Sequence, residues 1–258
     1  MKTCYHHTSF DTLKKIITNN GLTFRASRYS NYENEEYTWI KDKAYKVVKE
    51  ICQEQAQPFD DDLMEFNPYI IGFSKYMWSN YADKNQGIQI EVNSDILLKY
   101  SLQNQNPDAF VKCAYLSEKE RENNEHIKSA ITKIYNTYQV SSNLQDDLLI
   151  CASCIKQDIY RSEKEYRYMI PHYNQISISR IKNNEVVFSE EYEDEQDIQS
   201  LHGKKYYYIN FPKEALVSIN LGFDANKDRL ETIRQHLINN DYNIGNISIK
   251  QIEEKLLK

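Results

Sequence analysis

Residues 163–169, Glu-Lys-Glu-Tyr-Arg-Tyr-Met, restrict what this chain can become more than any other stretch of it. On a strand, side chains alternate between faces, so Glu163, Glu165 and Arg167 share one side while Lys164, Tyr166 and Tyr168 cover the other. Glu is a poor strand former, and two carboxylates at i and i+2 repel each other. Such a row needs either open solvent, with Arg167 neutralising its neighbours, or a task. The task would be that of a carboxylate pair in a cleft, one member holding a substrate hydroxyl and the other acting as base or charge stabiliser.

The chain around it is long enough, at 258 residues, to bury a sizeable core as one domain. With 6 Gly and 5 Pro it has no linker-rich or low-complexity stretch, and no repeat period is visible. A net charge of −6 gives the chain as a whole no drive towards nucleic acid, although a local basic groove is compatible with it. The 21 Tyr fit a compositional bias as well as they fit base stacking. There is no apolar run of about 18 residues and no signal-peptide core, so a cytoplasmic protein without a membrane partner is expected. Five cysteines form no framework. Cys151 and Cys154 lie in the apolar run Leu-Leu-Ile-Cys-Ala-Ser-Cys-Ile, without a second pair, and read as buried thiols rather than half a zinc site.

In chain order, a strand at Tyr5-His6-His7 leads into a helix capped by Thr8 or Ser9 and ended by Gly21, and Leu22–Ser27 is a second strand. Two consecutive histidines sample both faces, so one of them points inward. A helix over residues 34–56 is followed by an acidic loop at Asp60–Asp62. Tyr69-Ile-Ile-Gly-Phe-Ser74 is a buried strand, Met77, Trp78 and Tyr81 share one helical turn, and residues 87–92 alternate as a strand. That aromatic turn serves either core packing or the stacking of a planar ring. A helix near Asp95–Leu102 and a strand at Phe110–Leu116 precede helices over Ser117–Tyr138 and Leu144–Lys156, which together read as an insertion of about residues 117–156. A hairpin through Asn183-Asn184, an acidic run at Glu190–Asp197, strands at Lys205–Phe211 and Val217–Gly222, a helix at Asp228–Asn239 and a strand at Ile247–Ile252 complete the chain. The sum is an α+β single domain without Rossmann alternation.

Four segments carry a resemblance over nearly the whole chain. They are Tyr5-His6-His7-Thr8-Ser9; Phe73-Ser74 with Met77-Trp78, Tyr81-Ala82 and Gly87-Ile88-Gln89-Ile90; Lys156 with Glu163, Glu165 and Arg167; and Phe211-Pro212 with Leu216 and Ile219–Gly222. In these the chain resembles an uncharacterised bacterial family, domain of unknown function 2971. It departs from that family's pattern at His7, where an aromatic is usual, at Tyr160, where Trp is usual, and at Asn31-Tyr-Glu-Asn-Glu35. More distantly the arrangement resembles the ADP-ribosyltransferase fold, a split mixed and antiparallel sheet. That resemblance implies NAD as substrate and no metal. His6 and Thr8 on the first strand, Ser74, Trp78, Tyr81 and Arg167 would bind NAD. Glu165 would hold the ribose and stabilise an oxocarbenium-like transition state, and Glu163 would orient or deprotonate an acceptor, whether protein, nucleic acid or water. Tyr76 is a further candidate for ring stacking, and Arg167 is equally suited to a phosphate oxygen or a salt bridge. A toxin or phage-defence setting follows by analogy. The competing readings are a magnesium-dependent nuclease using Asp146, Asp147, Glu163 or Glu165, and a module that holds a nucleotide or partner without chemistry.

Overall fold

The computed structural model describes residues 3–31, 35–61, 66–103, 109–137, 143–170, 178–182, 185–189, 198–201 and 203–253. Strand β1 (Thr3–Thr8) runs into α1 (Phe10–Ile16), whose N-cap Ser9 accepts from the amide of Thr12. The two-residue β2 (Ile17–Thr18) turns back into β3 (Gly21–Arg28). Helix α2 (Glu35–Trp39) passes through a π turn at Ile40–Ala44 into α3 (Tyr45–Glu54). Then come β4 (Tyr69–Phe73), α4 (Trp78–Tyr81), β5 (Ile88–Asn93), α5 (Ser94–Gln103), β6 (Ala109–Lys112) and β7 (Ala114–Leu116). Helices α6 (Glu118–Arg121), α7 (Asn124–Tyr135) and α8 (Leu144–Ala152) precede β8 (Ile155–Gln157), a 3-10 turn at Asp158–Glu163 and β9 (Tyr166–Ile170). The remainder comprises β10 (Ile178–Lys182), β11 (Glu185–Ser189), β12 (Ile198–Leu201), β13 (Lys204–Phe211), β14 (Leu216–Leu221), α9 (Arg229–Asn239) and β15 (Ser248–Gln251).

Two sheets carry the architecture. One has the order β1-β5-β14-β15; the other runs β12-β13-β3-β4-β9-β6, with β2 beside β3. Between them Phe24, Ile71, Phe73, Tyr168 and Phe211 of the larger sheet meet Cys4, Ile88, Ile90, Val92 and Ile219 of the smaller in one apolar core. The opposite face of the larger sheet offers Ile70, Val111 and Met169, which pack under Val48, Ile51, Ile131 and Leu149 of α3, α7 and α8. Each such side chain contributes about 1.5–3 kcal/mol by leaving water. The result is an α+β chain of three layers, sheet, sheet and helices. Among the described residues no helix is long and apolar enough to cross a membrane.

One irregularity positions the site. Strand β3 pairs with β4 only at Ser27–Ile70 and Arg28–Tyr69, and the ladder stops there. The free side of β4 is taken up by β1 of the other sheet: the Ser74 amide donates to the Tyr5 carbonyl at 2.7 Å, and His6 Nδ1 lies 3.1 Å from the Gly72 carbonyl. Backbone groups left unpaired by the interruption are satisfied in this way.

Several expectations are corrected. Gly21 does not end α1; it stands at φ +126° in the β2–β3 hairpin, where a Cβ would lie 2.2 Å from the Phe211 carbonyl oxygen. The helix expected over 117–138 is two helices, because Asn123 accepts from the amides of Glu125 and His126 and caps α7. The helix expected to reach Lys156 stops at Ala152, and residues 155–157 form β8 parallel to β7. The strand expected at 110–116 is broken at Cys113, whose amide donates to the Glu165 carbonyl at 3.0 Å. Strands β10 and β11 pair as the expected hairpin; its Asn183-Asn184 turn and the acidic run 190–197 lie outside the described residues.

A candidate active site around a lysine-bridged glutamate pair

The row at 163–169 is not one strand. Glu163 closes the 3-10 turn, Lys164 takes a left-handed conformation (φ 47°, ψ 46°), and β9 begins at Tyr166. A lysine in that region costs on the order of 1 kcal/mol, so its surroundings must hold it there. They do: the Glu165 amide donates to Tyr115 Oη at 2.7 Å, and its carbonyl accepts from Cys113. Lys164, Tyr166 and Tyr168 nevertheless take one side, the first two exposed and Tyr168 buried between the sheets, and Glu163, Glu165 and Arg167 end up on the other, as the alternation required.

That side faces the helical layer. Glu163, Glu165, Arg167 and Lys156 are 7%, 5%, 5% and 6% exposed. Lys156 arrives on β8 and places its Nζ 2.6 Å from Glu163 Oε2 and 2.5 Å from Glu165 Oε2. Arg167 Nε approaches Glu165 Oε1 at 3.4 Å, and its Nη2 reaches Glu36 Oε1 on α2 at 2.6 Å. Tyr29 Oη donates to Glu36 Oε1 at 2.7 Å and accepts from Arg167 Nη1 at 2.9 Å. Formal charge runs Glu163, Lys156, Glu165, Arg167, Glu36: three carboxylates against two cations. Burial disfavours the charged lysine, but Glu165 and Glu163 outweigh it and hold the Lys156 ammonium above its ordinary range. Burial likewise opposes ionisation of Glu36, and Arg167 reverses that, leaving its pKa below 4.5.

The β4 strand fits the pair by having no side chain at one position. A Cβ on Gly72 would stand 2.8 Å from Glu165 Oε1. Two residues on, Ser74 Oγ donates to the Glu163 carbonyl and accepts from the Tyr76 amide at 3.1 Å, tying the end of β4 to the 3-10 turn. The following turn carries Trp78 and Tyr81. Trp78 is buried and meets the His7 ring edge-on at 4.8 Å, whereas Tyr81 is 53% exposed. Burial, then Glu163, raise the Tyr81 phenol pKa; Lys156 opposes the rise and Glu165 and Tyr160 add to it, so the hydroxyl lies within electrostatic reach of the pair.

The two histidines point to opposite faces of β1. His6 lies between the sheets, edge-on to Phe24 (5.1 Å) and Phe73 (5.8 Å). Because Gly72 offers a carbonyl, His6 Nδ1 carries the proton. Burial lowers the His6 pKa. His7 is pushed down to about 3, first by burial and then by His6. It shares the outer face of its sheet with Gln89, whose Nε2 lies 3.1 Å from His7 Nε2 and donates to the Lys75 carbonyl at 3.2 Å. Thr8 is buried opposite Ile88 at the end of β1.

Thus Glu163, Glu165, Arg167, Ser74 and Tyr81 come together around one ion cluster. His6 and Thr8 lie on the inter-sheet side of β4, with Gly72 between His6 and Glu165. Lys156 appeared in the sequence only as part of a resemblance, and Glu36, Tyr29 and Tyr115 did not appear as site residues. Glu36 sits 131 residues from Arg167, a separation that no spacing argument bridges. Asp146 and Asp147 fall in the first turn of α8. The cysteine pair is free and buried, with Cys154 Sγ 3.2 Å from Met169 Sδ. Among the described residues no three His, Cys, Asp or Glu side chains are grouped to hold a metal ion.

No curated protein and no solved structure matches the chain. Residues 77–168, from the turn before α4 to the middle of β9, match the family model described as protein of unknown function (DUF2971), a likeness of that segment to that family.

Proposed function

We propose that the chain cleaves the nicotinamide–ribose bond of NAD and transfers ADP-ribose to an acceptor. The observation that carries this reading is the cluster's excess of carboxylate within electrostatic reach of the exposed Tyr81. A buried group with three carboxylates to two cations favours a ligand bearing positive charge, and the pyridinium of NAD and the oxocarbenium that follows it both do. Both carboxylates are covered by Lys156, so the ribose hydroxyl takes the ammonium's place on Glu165 Oε2. Glu163, held from the backbone by Ser74, faces the acceptor. Tyr81 stacks on the nicotinamide. His6, with Nδ1 committed to Gly72, presents Nε2 as an acceptor towards the adenine-side ribose. A toxin or phage-defence setting suits such chemistry by analogy alone.

The test is nicotinamide release from NAD by wild type and Glu165→Gln, with and without EDTA, and with lysate as a source of acceptor. Release that survives EDTA and falls about 10²- to 10³-fold in the mutant supports the reading, the size being that of a lost transition-state electrostatic partner. Full burial of the pair favours one other reading, nucleotide binding without cleavage. In that case NAD raises the melting temperature and no nicotinamide appears. Absence of both effects would sink the two readings together.

A further inference from the structure

Five of the eight large apolar side chains that are most exposed among the described residues lie in two short segments at the site: Tyr76 and Tyr81, and Ile159, Tyr160 and Tyr166. Scattered exposure needs no explanation, but exposure gathered in two short segments does. Part of the group forms a stripe. Lys164 Nζ sits 4.8 Å from the centre of the Tyr76 ring. Two residues on, Tyr166 is 37% exposed and stands across the β9–β6 ladder from exposed Lys112. The Tyr166 ring lies flat against Phe110, with an interplanar angle of 9° and centroids 5.4 Å apart, so its orientation is fixed. Lys75 is exposed beside Tyr76. The stripe therefore alternates ring and cation across one end of β4, β9 and β6, and bears three positive charges on a chain of net charge −6.

We propose that this stripe binds single-stranded nucleic acid and that the acceptor of the site is a nucleotide of that strand; the second half of this inference rests on the NAD reading above. Rings that alternate with lysines suit bases and phosphates at once. Stacking is worth about 1–3 kcal/mol per base and tolerates any sequence, while the lysines track the backbone. A folded acidic partner would complement the lysines but would leave the ring faces without stacking. Glu163 and Glu165 lie on the other side of the chain from Lys164 and Tyr166, but Tyr81, in the same exposed segment as Tyr76, is within electrostatic reach of both, so a strand that continues from the stripe past Tyr81 brings one nucleotide to the carboxylate pair. In the transfer, the bond from ribose C1′ to the nicotinamide nitrogen breaks and its electron pair leaves with nicotinamide, cancelling the pyridinium charge. A nitrogen or oxygen lone pair of the acceptor forms the new bond to C1′, and the proton displaced from that atom passes to Glu163.

The experiment uses the full chain and a fluorescent oligothymidylate of about 12 nucleotides, read by anisotropy between roughly 50 and 200 mM NaCl, with the duplex as comparison. Expected are a preference for the single strand and a log–log salt slope of about −2, the value for three neutralised phosphates. The double variant Lys112→Glu with Lys164→Glu should weaken binding at least ~10-fold. Tyr166→Ala, which leaves the charges in place, should weaken it without changing the slope. Labelled NAD then gives the second readout: label on the oligonucleotide with wild type, and nicotinamide release that continues while oligonucleotide labelling falls in the double variant. Failure of the strand to bind, equal binding by the charge-reversed variant, or label on protein with none on nucleic acid overturns the inference while NAD cleavage stands. Strand binding without nicotinamide release in any condition retains the stripe and removes the transfer with the NAD reading.

Discussion

At the scale of the residue, the site is a series of alternating charges in which each link restrains two neighbours. Replacing Lys156 by Met removes the group that bonds both Glu163 and Glu165 at Oε2, while the methionine still fills the space. Glu163 would then lose its bridging cation and Glu165 would keep Arg167 alone, in a place that water hardly reaches. The expected loss of stability is about 3–5 kcal/mol, the range for breaking one side of a buried ion pair. Urea unfolding of wild type and Lys156→Met measures it; a loss below about 1 kcal/mol would mean that water compensates the pair. Glu36 gives a pH signature. Its pKa is depressed in the folded state, so its contribution is present above the unfolded value near 4.5 and is lost as pH falls through the folded value. Glu36→Gln should therefore lower stability at pH 7 and flatten the acid limb below about 4.5. Melting temperatures from pH 3 to 7 test this, and an acid limb of unchanged steepness would contradict it. Lys156 has the opposite sign: its raised pKa keeps its contribution constant through the neutral range and loses it only in strong alkali.

At the scale of the element, β4 and the 3-10 turn are fitted to each other at Gly72. The added methyl of Gly72→Ala would stand 2.8 Å from Glu165 Oε1, an atom held by Arg167 on a side chain held by Lys156. The carboxylate has to move, so the variant should lose nicotinamide release by more than its melting temperature suggests. Activity measured well below the melting point separates the two effects, and a fully active Gly72→Ala would show that Glu165 is free to shift. Much of this element level was legible in advance. The apolar run at 69–74 became β4, residues 87–92 yielded β5, and Asp228–Asn239 marked α9 nearly to the residue. What escaped was local chemistry with weak signatures. A left-handed Lys164 has none, so the charged row read as a continuous strand. The break between α6 and α7 comes from an Asn123 cap inside an otherwise helical pattern. The shared face of Glu163, Glu165 and Arg167 was legible because alternation survives the kink; their burial was not, because it depends on Glu36 and Tyr29 from a remote part of the chain.

At the scale of the whole molecule, the family match and the physical unit differ in extent. The matched residues, 77–168, include Lys156, Glu163, Glu165 and Arg167. They leave out Gly72 and Ser74 on one flank and Tyr29 and Glu36 in the helical layer. They also omit β4, the strand that pairs with β9 along its whole length, and β1, which closes the interruption of the sheet. Cut to 77–168, β9 would lose one of its two neighbours, and Arg167 would keep Glu165 but lose its pairing with Glu36 and its bond to Tyr29. The helices of the segment pack into the same core as α3, so 117–156 is joined to residues 45–54 by buried apolar surface. A fragment of 77–168 should therefore fail to fold alone, whereas the full chain should unfold in one cooperative transition. Circular dichroism on heating decides the point. A sigmoidal melt of the fragment, with helix and strand signals lost together, would establish an autonomous 77–168 unit, and the ion cluster would have to hold without Glu36.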